Sequence, residues 1–344
     1  MAQRYTRIRP GYPSGIFISG SGGFLPSSPV DNEILIRDRS LDTTPEWIES
    51  HVGVRQRHFA DSNLATSDLG ASAALLALEN AGLKATDLDH IILCTTTGDW
   101  TSPAAANRIQ NLIGADCPAE DKQSACASFL FGLDHGVRLV AGGLNHVMVI
   151  GADIKSRFIQ ARDRRLGPIF ADGAGAIILS RTEASGGMLG CELWSDGSRA
   201  LNLYTPAGGS AMPASEETVK KGLHSVKMTV DGHQIFADAV EAMSELCILV
   251  CEQADISLDQ IDCFIPHQAN LKIMKTVGQK LGISMDKTVI TIDYTGNTTS
   301  ATLPFALDVA RREGKLFPGA RVLLTAAGAG YSGGAALYQE INRP

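Results

Sequence analysis

Short apolar, β-rich runs alternate along the chain with stretches whose apolar residues recur at helical spacing. The runs are "GIFISG" (15–20), "HIILCTTT" (90–97), "HVMVIGAD" (146–153), "AGAIILS" (174–180), "CFIPH" (263–267), "VITID" (289–293) and "RVLLTAAG" (321–328). Strand-like runs separated by helical segments predict an α/β fold around a buried sheet. A faint repeat sharpens the picture. Residues 78–93 and 250–265 share a helix end, a turn, an Asp-containing strand entry and an apolar strand. "HVMVIGAD" has its counterpart in "RVLLTAAG", at nearly the same offset of about half the chain. The expectation is a duplicated α/β unit packed as two similar halves, residues 1–185 and 186–344.

Composition narrows the function. The 344 residues suffice for one large domain or two packed halves with a substantial core. A net charge of −7 argues against an extended nucleic-acid-binding face. The start, "MAQRYTRIRPGYP", is basic but lacks an apolar h-region, and no run reaches transmembrane length. No membrane partner and a cytoplasmic location are expected. The seven cysteines are odd in number and form no CxxC pair, so they read as reduced thiols. Cys247 and Cys251 are four apart on a helical pattern, but no second ligand pair follows, and no metal site is expected.

Two glycine-rich stretches fail as nucleotide motifs. "GIFISGSGGFLP" lacks the third glycine of a dinucleotide fingerprint, and Pro26 stands where a helix should open. A tight turn at a strand end is the simpler expectation. "ADGAGAIILS" has no Lys-Ser/Thr for a phosphate loop; it reads as an entry into a buried strand where backbones approach closely.

Chemistry points instead to "SACASFLFG", residues 124–132. Small residues precede Cys126, and a helix-compatible apolar stretch follows it. Cys126 is therefore expected at a helix N-terminus, where backbone N–H groups and the helix dipole lower a thiol's pKa. Taken alone, a buried small hydrophobe is the commoner fate of such a cysteine. Two further segments shift that balance. His267 follows Pro266 at the end of an apolar run, and Asn297 follows Gly296 at another strand-to-helix turn. A thiol, an imidazole and a carboxamide from separate turns can converge in one pocket. Cys94, Cys117 and Cys263 lack that context and read as core or near-core thiols.

These residues carry a resemblance. "EWIESHVGVRQRH", "ACASF", "FADGAGA", "PHQANLKI", "TGNTTSA" and "GAGYSGGAAL" together resemble β-ketoacyl-acyl-carrier-protein synthase III, a condensing enzyme of the thiolase-like superfamily. The resemblance implies a five-layered α/β/α/β/α fold from two duplicated halves. It implies a homodimer that initiates fatty acid synthesis or a related pathway. No cofactor is implied; coenzyme A and phosphopantetheine thioesters are the substrates. Cys126 would accept an acyl group from acyl-CoA. His267 and Asn297 would then stabilise the enolate formed as malonyl-acyl-carrier protein loses carbon dioxide. The resemblance further implies an oxyanion hole from the N–H groups of Cys126 and Gly330, and an adenine site between Trp47 and Arg164. Lys272, Lys275 and Lys280 share a broad helix face suited to an acidic carrier protein, or simply to solvent.

Departures from the family pattern sit at His51, where arginine is common, and in the loop "GAGYSGG". Ser102 before Pro103 is a small residue where the resemblance implies the acyl tunnel, which suggests a primer longer than acetyl, though Trp100 nearby could narrow the tunnel again. Three alternatives remain. One is a specialised-metabolism enzyme of the superfamily with a non-standard primer or acceptor. Another is a Cys-His-Asn hydrolase, since the chain order matches. The third is a condensing-fold subunit without activity.

Overall fold

A computed structural model describes residues 11–341. Two sheets carry the fold. The first runs, edge to edge, Ile16–Phe24, Asp172–Arg181, His146–Ile154, His90–Cys94 and Ala119–Lys122. The second runs Gly187–Ser195, Ser332–Gln339, Arg321–Gly328 and Cys263–Pro266. Strand for strand the pairings agree: antiparallel, antiparallel, then parallel in each sheet. The fifth strand of the first sheet pairs in parallel; its counterpart is a single parallel bridge between Phe264 and Thr288. The repeat in the sequence is thus a repeat in topology.

Side-chain alternation builds the layers. On the first sheet Ile92, Cys94, Val147 and Val149 face one core, whereas Ile91, Leu93, Met148 and Ile150 face another. Helices Ser128–Ala141 and Thr302–Arg312 fill the inner core between the sheets through Phe129, Leu133, Leu303 and Leu307. Helices Thr66–Ala81 and Ala105–Ile113 cover the outer face of the first sheet. Gly232–Gln253 and Leu271–Leu281 cover the second in the same way. The result is five layers, α/β/α/β/α. Covered on both faces, the strands need apolar residues at nearly every position. Each fully buried Ile, Leu or Phe contributes about 1.5–3 kcal/mol.

Glycine decides how closely the layers approach. Gly175, in "FADGAGA", lies directly against the backbone of Phe305, so the expected close approach is present. Gly20 and Gly22 differ from expectation. They make no turn but continue the strand Ile16–Phe24, with an irregularity between Ile18 and Gly20. Both press on the helix Thr66–Ala81; a Cβ on Gly22 would stand 2.5 Å from the Ala73 carbonyl oxygen. The helix approaches this strand because two side chains are missing there.

"VITID" also departs from its pattern. Beyond the bridge at Thr288 it forms no strand, and Ile292–Thr295 is a short helix. The cause is the buried Gln268. Its Oε1 accepts from the N–H of Thr291 (2.9 Å) and Ile292 (3.1 Å), and its Nε2 donates to the carbonyls of Pro266 (2.8 Å) and Val289 (3.0 Å). One carboxamide takes the place of a strand ladder. Cys94, Cys191 and Cys263 lie in the inner core and Cys247 and Cys251 in the outer one. Cys117 is part-buried, and none of these pairs in a disulfide.

Candidate active site

Cys126 sits where the first half turns from sheet to inner helix. Ala125 has φ 49°, in the left-handed region, and one 3₁₀ turn, Ala125–Ala127, leads into the helix Ser128–Ala141. That φ strains any residue with a side chain, and the small Ala125 bears it at low cost. Ser128 clamps the turn: its Oγ donates to the Ala125 carbonyl and accepts from Ser124 N–H, both at 2.6 Å. Gly328 stands behind, and a Cβ there would lie 2.6 Å from Cys126 N. The helix-start position is as the sequence predicts, but the thiol's electrostatics are corrected. Burial pushes the Cys126 thiol up to about 12, opposed by the Lys155 cation, reinforced by Asp153 and opposed again by its own N–H. Desolvation of the thiolate outweighs the charges that favour it.

The second half repeats this turn. Thr299 has φ 58°, and the 3₁₀ turn Thr299–Ala301 leads into the helix Thr302–Arg312. Just before it lies Asn297, buried, with Oδ1 accepting from Thr299 N–H at 2.8 Å. That bond fixes the carboxamide and leaves its two N–H donors for the cavity. Gly296, at φ 64°, admits no side chain: a Cβ would meet Ala171 Cβ at 2.9 Å. Position 296 is therefore held to Gly.

His267 ends the strand Cys263–Pro266 and donates its backbone N–H to the Thr325 carbonyl at 2.8 Å. Its ring is buried, with Nδ1 2.6 Å from the Thr302 hydroxyl. Burial pushes the imidazole down to about 3, so it is neutral at physiological pH.

Cys126, His267 and Asn297 line one cavity of about 350 Å³, together with Phe170, Met243 and Gly328. Trp47 and Arg165 stand on its wall as well. Cys126 also borders a second cavity of about 630 Å³, which His267 and Asn297 do not line. The three site residues therefore meet as expected, but some predicted neighbours do not. Arg164 reaches toward Asp42 at 3.4 Å, where both side chains are exposed; Arg165 takes the cavity place. Trp47 stacks on His51 with ring centres 4.5 Å apart. Trp100 is 55% exposed and Ser102 is exposed, and neither lines a cavity with Cys126. Gly330 borders the second cavity only, whereas Ala329 borders both. Lys272, Lys275 and Lys280 are all exposed on the helix Leu271–Leu281.

Sequence reasoning missed Lys155, Arg165 and Ala329. "RDRRLG" holds adjacent arginines, and nothing in the pattern tells which one turns inward. Lys155 directly follows the strand His146–Ile154, a place where lysines usually meet solvent.

The arrangement also separates two chemistries. In a Cys-His-Asn hydrolase the carboxamide orients the imidazole. Here Asn297 Oδ1 is taken by Thr299 N–H and His267 Nδ1 by Thr302, so imidazole and carboxamide are held independently, each by its own partner.

Comparison with known proteins agrees. Residues 121–197 match the family model 3-oxoacyl-[acyl-carrier-protein] synthase III, and residues 251–339 match its C-terminal companion. The β-ketoacyl-[acyl-carrier-protein] synthase III of Caldanaerobacter subterraneus subsp. tengcongensis is 41% identical over 315 residues, 91% of this chain and 94% of that protein. That of Syntrophomonas wolfei is 39% identical over 324 residues, covering 94% of this chain and 96% of its own. The crystal structure of 3-oxoacyl-(acyl carrier protein) synthase III from Pseudomonas aeruginosa PAO1 superposes with a TM-score of 0.87 at 32% identity. It covers 96% of this chain and 100% of that one. Fold, turn geometry and relatives converge: the chain belongs to the β-ketoacyl-acyl-carrier-protein synthase III family of thiolase-like condensing enzymes.

Proposed function

We propose that this acyltransferase loads an acyl group from acyl-CoA onto Cys126 and condenses it with malonyl-acyl-carrier protein. The observation that carries the reading is the meeting of Cys126, His267 and Asn297 in one cavity, with the carboxamide oriented by Thr299 N–H. The labour divides between the halves: residues 1–185 carry the nucleophile, and residues 186–344 carry the two donors.

In loading, the Cys126 thiolate adds to the acyl carbonyl carbon. The carbon–sulfur bond to coenzyme A breaks, and coenzyme A leaves with the proton lost by the thiol. Two backbone donors would meet the oxyanion: Cys126 N–H and an N–H from the loop 328–330. The resemblance selects Gly330, while Ala329 is the loop residue that borders both cavities.

In condensation, the malonyl thioester loses carbon dioxide, and the electrons of the broken carbon–carbon bond form an enolate. Its oxygen lies between His267 Nε2–H and Asn297 Nδ2–H, two neutral donors that strengthen as charge develops. The enolate carbon attacks the acyl-Cys126 thioester, a carbon–carbon bond forms, and Cys126 leaves as thiolate. The product is β-ketoacyl-acyl-carrier protein. Trp47 and Arg165 at the cavity wall would receive the coenzyme A adenine, by stacking on aromatic and guanidinium planes. The exposed Lys272, Lys275 and Lys280 would steer the acidic carrier protein.

Mass spectrometry of the intact protein tests this. Incubation with acyl-CoA should add one acyl mass to the wild type and none to Cys126→Ala. Malonyl-carrier protein should then release carbon dioxide and β-ketoacyl product. Normal acylation of Cys126→Ala, or release of free acid only, overturns the reading.

A further inference from the structure

The second cavity at Cys126 holds neither enolate donor, so under the reading above it is the space left for the tail of the loaded acyl group. A hydrocarbon tail would call for an apolar wall. The wall here is mixed: Phe158, Phe170 and Leu203 share it with Thr96, Lys155 and Ser332.

Lys155 is the unusual member. It is only 9% exposed, its Nζ donates to Thr96 Oγ1 at 3.2 Å, and it stands 5.9 Å from the centre of the Phe158 ring. Among the described residues it forms no ion pair; Asp153, two positions earlier, is engaged elsewhere. Asp153 Oδ1 accepts from Thr96 and Thr97 hydroxyls at 2.8 and 2.9 Å, and Oδ2 from the Ser300 hydroxyl at 2.6 Å. An ammonium has three donors, and Thr96 takes one. Its other donors face the cavity, and an anionic ligand group there can pair with the ammonium in place of water. On the same wall, Thr299 has a buried hydroxyl without a hydrogen-bond partner among the described residues.

We propose that the acyl groups accepted at Cys126 end in a carboxylate, as half-thioesters of short dicarboxylic acids, and that Lys155 pairs with that carboxylate. The proposal rests on Cys126 being the acyl carrier. Loading is the same exchange of one thioester bond for another, with the distal carboxylate unchanged.

Initial loading rates from matched acyl-CoAs test it: succinyl against butyryl, and glutaryl against pentanoyl, read by intact-protein mass spectrometry. Within each pair the carbon count is equal and only the terminal group differs. The carboxylated member should load faster by about 10–100-fold, the worth of one charge-assisted hydrogen bond. Lys155→Met, close in volume, should reverse the order, and Lys155→Arg should keep it. Equal or faster loading of butyryl and pentanoyl by the wild type overturns the proposal and leaves the condensing reading intact. So does an equal slowing of all four thioesters in Lys155→Met, which would make Lys155 a group that tunes the thiol only. If none of the four loads, the role of Cys126 falls, and the proposal with it.

Discussion

The Thr302 hydroxyl lies 2.6 Å from His267 Nδ1 and 3.1 Å from the Thr299 carbonyl oxygen. A hydroxyl has one proton to give. When Thr302 gives it to Nδ1, the imidazole proton sits on Nε2, the tautomer that can donate to an enolate oxygen. If the proton goes to Nδ1 and not to the Thr299 carbonyl, Thr302 is a positioning residue for His267, and decarboxylation tests which way it goes. Thr302→Val should lower malonyl decarboxylation about 10–100-fold, less than the loss of a donor itself, and leave acyl loading of Cys126 near wild type. Thr302→Ser should restore decarboxylation. Unchanged carbon dioxide release from Thr302→Val would show that the hydroxyl does not set the tautomer.

Asn297 offers a substitution of matching shape. Asn297→Asp keeps an oxygen for Thr299 N–H but replaces the cavity-facing N–H donors with a carboxylate oxygen. Repulsion of the developing enolate should then add to the lost hydrogen bond. Decarboxylation should fall at least about 10²–10³-fold while Cys126 still accepts an acyl group. Release of carbon dioxide at a tenth of the wild-type rate or more would remove Asn297 from the enolate site.

Cys126 and Asn297 were legible because each sits where the backbone restricts its neighbours, and His267 because it follows Pro266 at the end of an apolar run. Ala125 and Thr299 take left-handed φ, and Gly296 leaves no room for a Cβ. At Ala125 and Gly296 such restrictions leave a local trace of small residues. Features made by long-range contact left no such trace. Gln268 replaces a strand ladder through bonds to residues more than twenty positions away, so "VITID" reads as a strand. Gly20 and Gly22 read as a turn because the helix that needs their missing side chains lies elsewhere in the chain. Lys155 follows an apolar strand, and only the folded chain shows its ammonium turned inward.

Burial of His267 also predicts a pH dependence of stability. Its folded pKa is pushed down to about 3, against about 6.5 for an unfolded chain. Between those values the unfolded chain binds a proton that the folded one does not. The contribution is therefore fully present above pH 6.5 and is lost as pH falls, by about 1.4 kcal/mol per pH unit. His267→Asn lacks that linkage. Between pH 6.5 and 4.5, urea titrations should show the wild type losing about 2 kcal/mol more than the variant. Equal losses would mean that the imidazole is solvated in the folded protein.

Gly328 joins the second half of the chain to the nucleophile of the first. A Cβ there would lie 2.6 Å from Cys126 N, 3.1 Å from Cys126 Cβ and 3.2 Å from Ala125 Cβ. None of these atoms is the flexible end of a side chain, so the strand Arg321–Gly328 or the Cys126 turn must move. Overpacking of this kind costs about 1–3 kcal/mol. Gly328→Ala should lower the melting temperature and slow loading of Cys126 together, because the displaced atom includes an oxyanion donor of the proposed site. Gly197→Ala serves as the control, since a Cβ at Gly197 meets nothing within 4 Å. It should change stability by no more than about 0.5 kcal/mol. Loading by Gly328→Ala at the wild-type rate would show that the contact shapes stability alone, and that the nucleophile's geometry does not depend on the loop from the other half.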